Sequence, residues 1–292
     1  VLATGGLGDK SFNDSAFAGA KKAEQELGIE LDYVEPTAIA EYEGFLRDYA
    51  KSGEYSIIIS IGFDQADALS VVAKEYPEQK FAIVDMVVDL PNIASFVFRE
   101  NESSFLVGAI AGMITETNKI GFVGGMDIPL INKFLAGYKA GAKHVNPDVE
   151  VYVVYVGGWA DPAKGKELAL SQIDKGADIV YQAAGRSGLG VIEAAKERDI
   201  YAIGVDADQR YLAPDNILTS ALKRVDVAVY RVIKSVIGGT FSGGIYDLGI
   251  KENGVGAVLD NNPSIVTQDI VAKVRELEQK VASGEIQVPT EP

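Results

Sequence analysis

The alternation of apolar runs with helical segments is the feature that most constrains the fold. Short Val/Ile-rich runs such as "SIIISI" and "KFAIVD" alternate with segments of helical period, and the cycle restarts at "KIGFVGG" (119–125). Such runs are apolar on both faces, which is typical of parallel strands covered by helices on either side. The alternation therefore predicts an α/β fold built from doubly wound parallel sheets.

Two successive series of these strand–helix units predict two lobes. The first series ends near residues 98–103, and "NILTSALKRVD" (216–226) is interpreted as a strand and a helix start that return to the first lobe. The predicted first lobe therefore comprises residues 1–100 and 217–248. The predicted second lobe comprises residues 101–216 and 249–292, including a last amphipathic helix near 264–283.

A glycine-rich loop, "GGLGDKSFND" (5–14), raises the question of phosphate binding. A P-loop needs Gly directly before its Lys-Ser pair, but here Asp9 precedes Lys10, and the dinucleotide-binding pattern fails at Ser11. What the loop presents instead is a set of donors, acceptors and one ring, from Asp9, Ser11, Phe12 and Asn13. This set favours a neutral, flat, polar ligand over an anion.

Polar and aromatic residues also follow the later strands. Ligands of open α/β sheets bind beyond the carboxyl ends of the strands, so these positions are informative. They are Phe63, Asp64, Asp127, Trp159, Gly185, Asp206 and Lys223. No catalytic set is among them, and no catalytic residue, metal site or cofactor is predicted.

Charge and residue counts exclude several classes of function. With 42 acidic and 27 basic side chains, the net charge of −15 provides no electrostatic footprint for nucleic acid or anionic lipid. A single histidine and the absence of cysteine exclude histidine-based triads and thiolate zinc sites. Asp206 and Asp208 together suggest a metal, but no further ligands follow at suitable spacing.

Six motifs in order resemble one family across almost the whole chain. They are "GLGDKSFND", "GFVGGMDIPLINKFLAGYKAGA", "YVGGWADPAKGKELA", "GADIVYQAAGRSGLGV", "AIGVDADQ" and "LTSALKRVD". Together they resemble the basic membrane protein family, the purine-nucleoside receptor type of ABC-transporter substrate-binding lipoprotein. The resemblance implies a type 1 periplasmic-binding-protein fold, with two lobes joined by three crossovers that close on a nucleoside of the adenosine, guanosine or inosine class.

The resemblance also implies partners and a location. We expect a monomer that delivers its ligand to an ABC transporter permease and does not act as an enzyme. We expect it outside the cytoplasm, periplasmic or at the cell surface, and anchored to the cell membrane by a lipidated N-terminal cysteine that is absent from this chain.

Carried over position by position, the resemblance assigns five residues to the nucleobase. Phe12 and Trp159 are expected to sandwich the base between two rings. Asp9, Asn13 and Asp127 are expected to hydrogen-bond its edge. The family more often has Phe at the second ring position, so Trp159 is a departure that bears on base preference.

Three further residues are assigned to the ribose. They are Gly185, Asp206 and Lys223. The stretch between Asp206 and Lys223 is shorter than usual in the family, which makes Lys223 the departure among the three. A carboxylate such as that of Asp206 can accept two hydrogen bonds from vicinal hydroxyls.

Structural roles are the alternatives for individual residues. Phe12 and Trp159 would then be core aromatics, Asp206 would cap the following turn, and Asp127 would cap the helix that begins at Pro129. For the whole chain, an enzyme on a doubly wound fold and a ligand-sensing receptor module are the alternative classes. Riboflavin and a sugar are the alternative ligands.

Overall fold

The computed structural model describes all residues, Val1–Pro292, as nine α-helices and ten β-strands. The strands are β1 (Ile58–Ile61), β2 (Phe81–Val84), β3 (Ile93–Phe98), β4 (Lys119–Gly124), β5 (Glu150–Tyr155), β6 (Ile179–Ala183), β7 (Tyr201–Asp206), β8 (Ile217–Lys223), β9 (Gly244–Leu248) and β10 (Val255–Ala257). The helices are α1 (Phe12–Leu27), α2 (Tyr42–Ser52), α3 (Ala66–Glu75), α4 (Glu100–Ile114), α5 (Pro129–Val145), α6 (Pro162–Ile173), α7 (Gly188–Glu197), α8 (Val225–Ile237) and α9 (Gln268–Ser283). None of these helices is both long enough and apolar enough to cross a membrane.

The chain divides into two compact units. Unit 1 comprises Val1–Phe98 and Arg224–Leu248, and unit 2 comprises Arg99–Lys223 and Gly249–Pro292. The prediction that residues 217–223 belong to the first lobe was wrong. This segment is β8, which pairs in parallel with β7 in the sheet of unit 2, and the chain enters unit 1 only at Arg224.

Unit 1 is built on a four-stranded parallel sheet in the order β1-β2-β3-β9. Two apolar segments before β1, "VLAT" (1–4) and "LDYV" (31–34), do not form continuous strands. They make isolated backbone hydrogen bonds instead: Leu2 N–H donates to the Val34 carbonyl (3.1 Å), and Ile61 N–H of β1 donates to the Val1 carbonyl (3.0 Å). The first segment ends there because Gly5 and Gly6, with φ of 106° and 60°, turn the chain.

Unit 2 is built on a six-stranded sheet in the order β10-β8-β7-β6-β4-β5, in which only β10 runs antiparallel. Alternate residues of its strands point to two separate apolar cores. Ile120 and Phe122 lie in the core that includes α4, α5 and α9, whereas Val123 lies in the core that includes α6 and α7. Helices therefore cover both faces of the sheet. In open α/β sheets of this kind, ligands bind beyond the carboxyl ends of the strands.

Helices α4 and α5 pack at backbone contact through glycines. A Cβ atom on Gly108 or Gly112 of α4 would clash with the Tyr138 or Ala142 carbonyl of α5, and Gly137 and Gly141 of α5 face carbonyls of α4 in the same way. Any larger side chain would force the helices apart, so the four glycines set their separation. This separation fixes the N-terminal ends of α4 and α5, which carry Glu100 and Lys133.

Candidate ligand-binding site

In unit 1, the Asp9 carboxylate holds the start of α1. It is 4% exposed and accepts the N–H groups of Ser11 (2.9 Å), Asn13 (2.8 Å) and Asp14 (3.1 Å). Burial raises the pKa of Asp9, while these three hydrogen bonds act in the opposite direction. A carboxylate has about four acceptor positions, so roughly one remains for a ligand.

The side-chain amide of Asn13 also hydrogen-bonds to the protein backbone. Its Oδ1 accepts the Ala3 N–H (3.0 Å) and its Nδ2 donates to the Ala3 carbonyl (3.5 Å). The amide thus mimics a strand neighbour for Ala3, and one amide hydrogen remains for another acceptor. Phe12, the first residue of α1, is half-buried beside it.

A hydrogen-bonded pair of Tyr42 and Asp64 lies near the end of β1; the sequence marked Asp64 as a residue that follows a strand but assigned the pair no role. The buried Tyr42 hydroxyl accepts the Thr4 N–H (2.9 Å) and donates to Asp64 Oδ2 (3.1 Å), and burial raises the pKa of Tyr42 to about 12. The other oxygen, Asp64 Oδ1, is buried without a hydrogen-bond partner, and burial raises the pKa of this carboxyl as well. The position of Asp64 directly after an apolar run was the signal that marks it.

A separate cavity of about 570 Å³ lies within unit 1. Side chains of α1 and α8 and the segments 29–33 and 54–59 line it, among them Phe17, Tyr33, Tyr55 and Ile233. None of the predicted ligand-binding residues is among its lining residues. This cavity is therefore distinct from the candidate site.

In unit 2, the five predicted residues follow five neighbouring strands at one edge of the sheet. In spatial order they are Trp159 after β5, Asp127 after β4, Gly185 after β6, Asp206 at the end of β7 and Lys223 at the end of β8. All five strands are parallel, so their carboxyl ends lie side by side about 4.8 Å apart. We call this the carboxyl edge of unit 2.

Trp159 packs against a glycine that the sequence did not single out. A Cβ atom on Gly125 would overlap Cζ3 and Cε3 of the indole and lie 3.1 Å from Cη2. The Gly125 carbonyl accepts the N–H groups of Gly157 (2.7 Å) and Gly158 (3.0 Å), which holds the loop that carries Trp159. The second glycine of "GG" in "FVGGMD" was the available signal, and the half-buried ring rests on it.

Gly185 also lies close to Trp159. Its φ of 56° is in the left-handed region, and a Cβ atom there would lie 3.3 Å from the Trp159 carbonyl oxygen. That same carbonyl accepts the Ser187 N–H (3.1 Å), and the Ser187 hydroxyl accepts the Asp161 N–H (2.9 Å). The loops after β5 and β6 are thus tied together around Trp159.

Asp127 is exposed, and it does not cap α5. The N-cap residue of α5 is Ile128, and no side chain caps this helix. Asp127 Oδ1 instead accepts from Asn132 Nδ2 (3.0 Å), and Asn132 Oδ1 accepts from the Tyr155 hydroxyl (2.6 Å). The capping alternative was wrong, and the carboxylate lies in a polar chain at the carboxyl edge.

Asp206 combines burial with an uncommon backbone conformation. It is 8% exposed and has φ of 65°, in the left-handed region that few non-glycine residues adopt. Asp and Asn tolerate this region better than other residues, and such conformations cluster at functional sites. The chain therefore turns sharply away from β7 at Asp206 itself, the residue that carries the carboxylate.

Lys223 lies deep in unit 2 and pairs with Glu100. The two side chains are 2% and 0% exposed, and Lys223 Nζ lies 3.0 Å from Glu100 Oε1. Lys133 Nζ lies 3.5 Å from Glu100 Oε2, and the Phe134 ring centroid lies 5.7 Å from Lys223 Nζ. The sequence marked Lys223 but not Glu100, which begins α4 far away along the chain.

Asp208, the suggested second metal ligand, pairs with Arg210. The Arg210 guanidinium donates to both oxygens of Asp208 (2.8 and 2.7 Å), and these hydrogen bonds lower the pKa of the carboxyl. No group of three or more His, Asp or Glu side chains is placed to hold a metal ion.

Comparison with known proteins identifies a family match and relatives along almost the whole chain. The profile of the family described as ABC transporter substrate-binding protein, PnrA-like, matches residues 1–291. Basic membrane protein A of Borreliella burgdorferi is 36% identical over 99% of this chain and 87% of its own length. An uncharacterized lipoprotein of Pyrococcus abyssi is 37% identical over 97% of this chain and 81% of its own length.

One solved structure is similar to this protein in both fold and sequence. The solute-binding protein of an ABC transporter system from Aeropyrum pernix K1 superposes with a TM-score of 0.89 at 37% identity, covering 99% of this chain and 92% of the other. The two parallel α/β units therefore define a solute-binding protein of the type 1 periplasmic fold. The chain belongs to the PnrA-like family of ABC transporter substrate-binding proteins, and the resemblance to the basic membrane proteins is confirmed.

Proposed function

We propose that the protein captures a nucleoside, of the purine class, and delivers it to the permease of an ABC transporter. One observation carries the ligand class: five neighbouring strand ends of unit 2 bring together a ring, a left-handed glycine, two carboxylates and a lysine. A nucleoside offers a flat base for the ring and vicinal hydroxyls for a carboxylate. Membership in a substrate-binding family supports the transport role.

For the base, we propose contacts from both units. Phe12 of unit 1 and Trp159 of unit 2 supply rings, and aromatic stacking is worth about 1–3 kcal/mol per base. Asp9, Asn13 and Asp127 supply hydrogen-bonding groups to the base edge. Because Asp9 and Asn13 already serve the backbone of unit 1, each has about one position left for the ligand.

For the ribose, we propose that Asp206 accepts hydrogen bonds from the vicinal hydroxyls. Charge-assisted hydrogen bonds of this kind are the strong ones, and burial of Asp206 protects them from competing water. Gly185 lets the sugar approach the backbone because it has no side chain, and Lys223 donates to a ribose oxygen.

The location follows from the relatives. We propose that the protein acts outside the cytoplasm as a monomer and is held at the cell membrane by an N-terminal lipid. The support is the name of the Pyrococcus abyssi relative, a lipoprotein, and the family's role with ABC transporters.

Calorimetry tests the ligand class directly. Inosine, adenosine, guanosine and cytidine are titrated beside riboflavin, ribose and inosine 5′-monophosphate. We expect the purine nucleosides to bind most tightly and the monophosphate much more weakly, because carboxylates at the carboxyl edge repel phosphate. Tighter binding of riboflavin or ribose, or equal binding of the monophosphate, would refute the assignment.

Tryptophan fluorescence tests the mode of binding, because Trp159 is the only tryptophan. We expect emission to change saturably with a purine nucleoside. Trp159→Phe retains a ring and should retain binding, whereas Trp159→Ala should lose about 1–3 kcal/mol. Normal binding by Trp159→Ala would show that the ring is structural.

A further inference from the structure

We propose that Gln182 and Gln209 are positioning residues, which hold Gly185 and Asp206 in place beyond β6 and β7 and so set the preference for the sugar of the ligand. The inference deepens the proposed function and rests on it for the identity of that ligand. The contacts of the two glutamines are a matter of geometry within unit 2. Gln182 lies inside β6 and Gln209 lies in the loop after β7, so neither was among the predicted site residues.

The pairing of β6 with β7 stops before the carboxyl edge. The two strands pair only as far as Tyr181 and Ile203, although both strands continue beyond these residues. In a parallel sheet, alternate N–H groups face the same neighbour, and Tyr201 N–H faces β6, because it donates to the Asp178 carbonyl (3.1 Å). Val205 lies an even number of residues further along β7 and faces β6 as well. Past the last pair, the Val205 N–H needs an acceptor other than a strand neighbour.

The Gln209 side chain is that acceptor. Its Oε1 accepts the Val205 N–H (3.0 Å) and also accepts from Gln182 Nε2 (2.8 Å). The backbone N–H of Gln209 donates to Ser220 Oγ of β8 (3.0 Å), which holds the loop against the sheet. Gln209 therefore takes the place of a strand neighbour at the residue directly before Asp206.

Gln182 makes the matching contact at the end of β6. Its Oε1 accepts the Ala184 N–H (3.2 Å), while its Nε2 donates to Gln209. Both glutamines are buried, at 0% and 1% exposed, so water does not compete for these hydrogen bonds. The two amides thus link the residue before Gly185 to the residue before Asp206.

Two glycines make room for the amides. A Cβ atom on Gly188 would overlap Gln182 Oε1, and a Cβ atom on Gly204 would lie 2.9 Å from both Cβ and Oε1 of Gln209. Neither glycine can be replaced without moving a glutamine, so both side chains are confined. The amide pair therefore sets the separation of the two strand ends.

The consequence concerns the sugar of the ligand. Under the proposed function, Gly185 and Asp206 contact the ribose, so a change in their separation weakens the hydrogen bonds to the vicinal hydroxyls. Other residues hold the base. Loss of the amide pair should therefore lower the preference for ribose over 2′-deoxyribose, whereas a general loss of stability would weaken the binding of both sugars alike.

Selectivity between the two sugars tests the inference. Gln182→Met and Gln209→Met each remove one amide. Gln172→Met is the control, because Gln172 is also buried in unit 2 and donates to the Phe122 (3.0 Å) and Tyr152 (3.1 Å) carbonyls. By calorimetry, the first two variants should lower the ratio of inosine to 2′-deoxyinosine affinity about two- to tenfold, which corresponds to the worth of one hydrogen bond. The control should keep the wild-type ratio, and an unchanged ratio in Gln182→Met and Gln209→Met overturns the sugar role.

A double variant shows whether the two glutamines act as a pair. Gln182→Met combined with Gln209→Met should change the ratio no more than the stronger single variant, because the first substitution already breaks the link. A change equal to the product of the two single effects contradicts the pairing. If a single variant does not fold, the ratio of the double variant decides the sugar role, since neither amide of the pair is then left without the other.

Hydrogen exchange in the unliganded protein separates this inference from the proposed function. Gln209→Met retains Gln182, the acceptor of the Ala184 N–H, yet the Ala184 amide should exchange faster by NMR because Gln209 no longer holds that acceptor. Gln172→Met should leave this exchange rate unchanged. If the wild type binds no nucleoside, or binds inosine and 2′-deoxyinosine equally, the proposed ligand or its ribose contacts are wrong, and the exchange rate decides the positioning role. An unchanged rate for Ala184 in Gln209→Met overturns it.

Discussion

Replacing Gly125 by alanine should remove Trp159 from its place at the carboxyl edge. The new methyl group would overlap Cζ3 and Cε3 and lie only 3.1 Å from Cη2. Carbon atoms pack comfortably at about 3.5–4.0 Å, so the ring must move by about 1 Å or more.

The expected loss follows from this displacement. A base that no longer stacks on Trp159 loses up to about 1–3 kcal/mol, which weakens nucleoside binding by roughly 5- to 150-fold. The control is Gly158→Ala, next to the tryptophan, where a Cβ atom would meet nothing within 4 Å. We expect this control to bind like the wild type.

Two measurements distinguish an error in the packing argument from an error in the stacking role of Trp159. Emission of the unliganded protein reports the position of the ring, and titration with inosine reports its use. Unchanged emission in Gly125→Ala refutes the packing argument. Changed emission with unchanged inosine affinity refutes the stacking role of Trp159 while leaving its packing intact.

Two further outcomes are expected. Asp206→Asn should lose about 2–5 kcal/mol of nucleoside affinity by calorimetry yet stay folded, since Asn tolerates the left-handed backbone; equal loss in the control Asp208→Asn would contradict this. Gly19→Ala should lower the unfolding free energy by about 1–3 kcal/mol, because a Cβ atom would press on the Asp226 backbone, whereas the open helical Gly44→Ala should not; similar melting of the two variants would disprove the close contact.

The sequence predicted the sheet of unit 2 well, because its strands are continuous apolar runs. "KIGFVGG", "VEVYVVYV" and "YAIGVD" correspond to β4, β5 and β7, and the residues after them lie at the carboxyl edge as expected. The boundary at residue 217 could not be predicted in this way. The choice of sheet for β8 depends on its pairing with β7, which is a tertiary contact and leaves no local signal.

The sequence also could not predict roles that depend on contacts between residues far apart along the chain. Glu100 begins a helix that is buried along almost its whole length, and only the fold brings it to Lys223. Asn13 and Asp9 have the residue types of ligand contacts, yet much of their hydrogen-bonding capacity serves Ala3 and the start of α1. Donors and acceptors in a loop predict hydrogen bonds but do not tell whether the chain or a ligand completes them.

The glycine contacts between α4 and α5 have a consequence for motion. Sliding one helix past the other would drive the carbonyl of Phe105 or Tyr138 over a Cα atom that already touches it. The pair can therefore open only by separating, which exposes the buried length of both helices at once. Amide hydrogens of α4 and α5 should accordingly exchange with deuterium together and at the slow rate of global unfolding, while those of the exposed residues 290–292 exchange first.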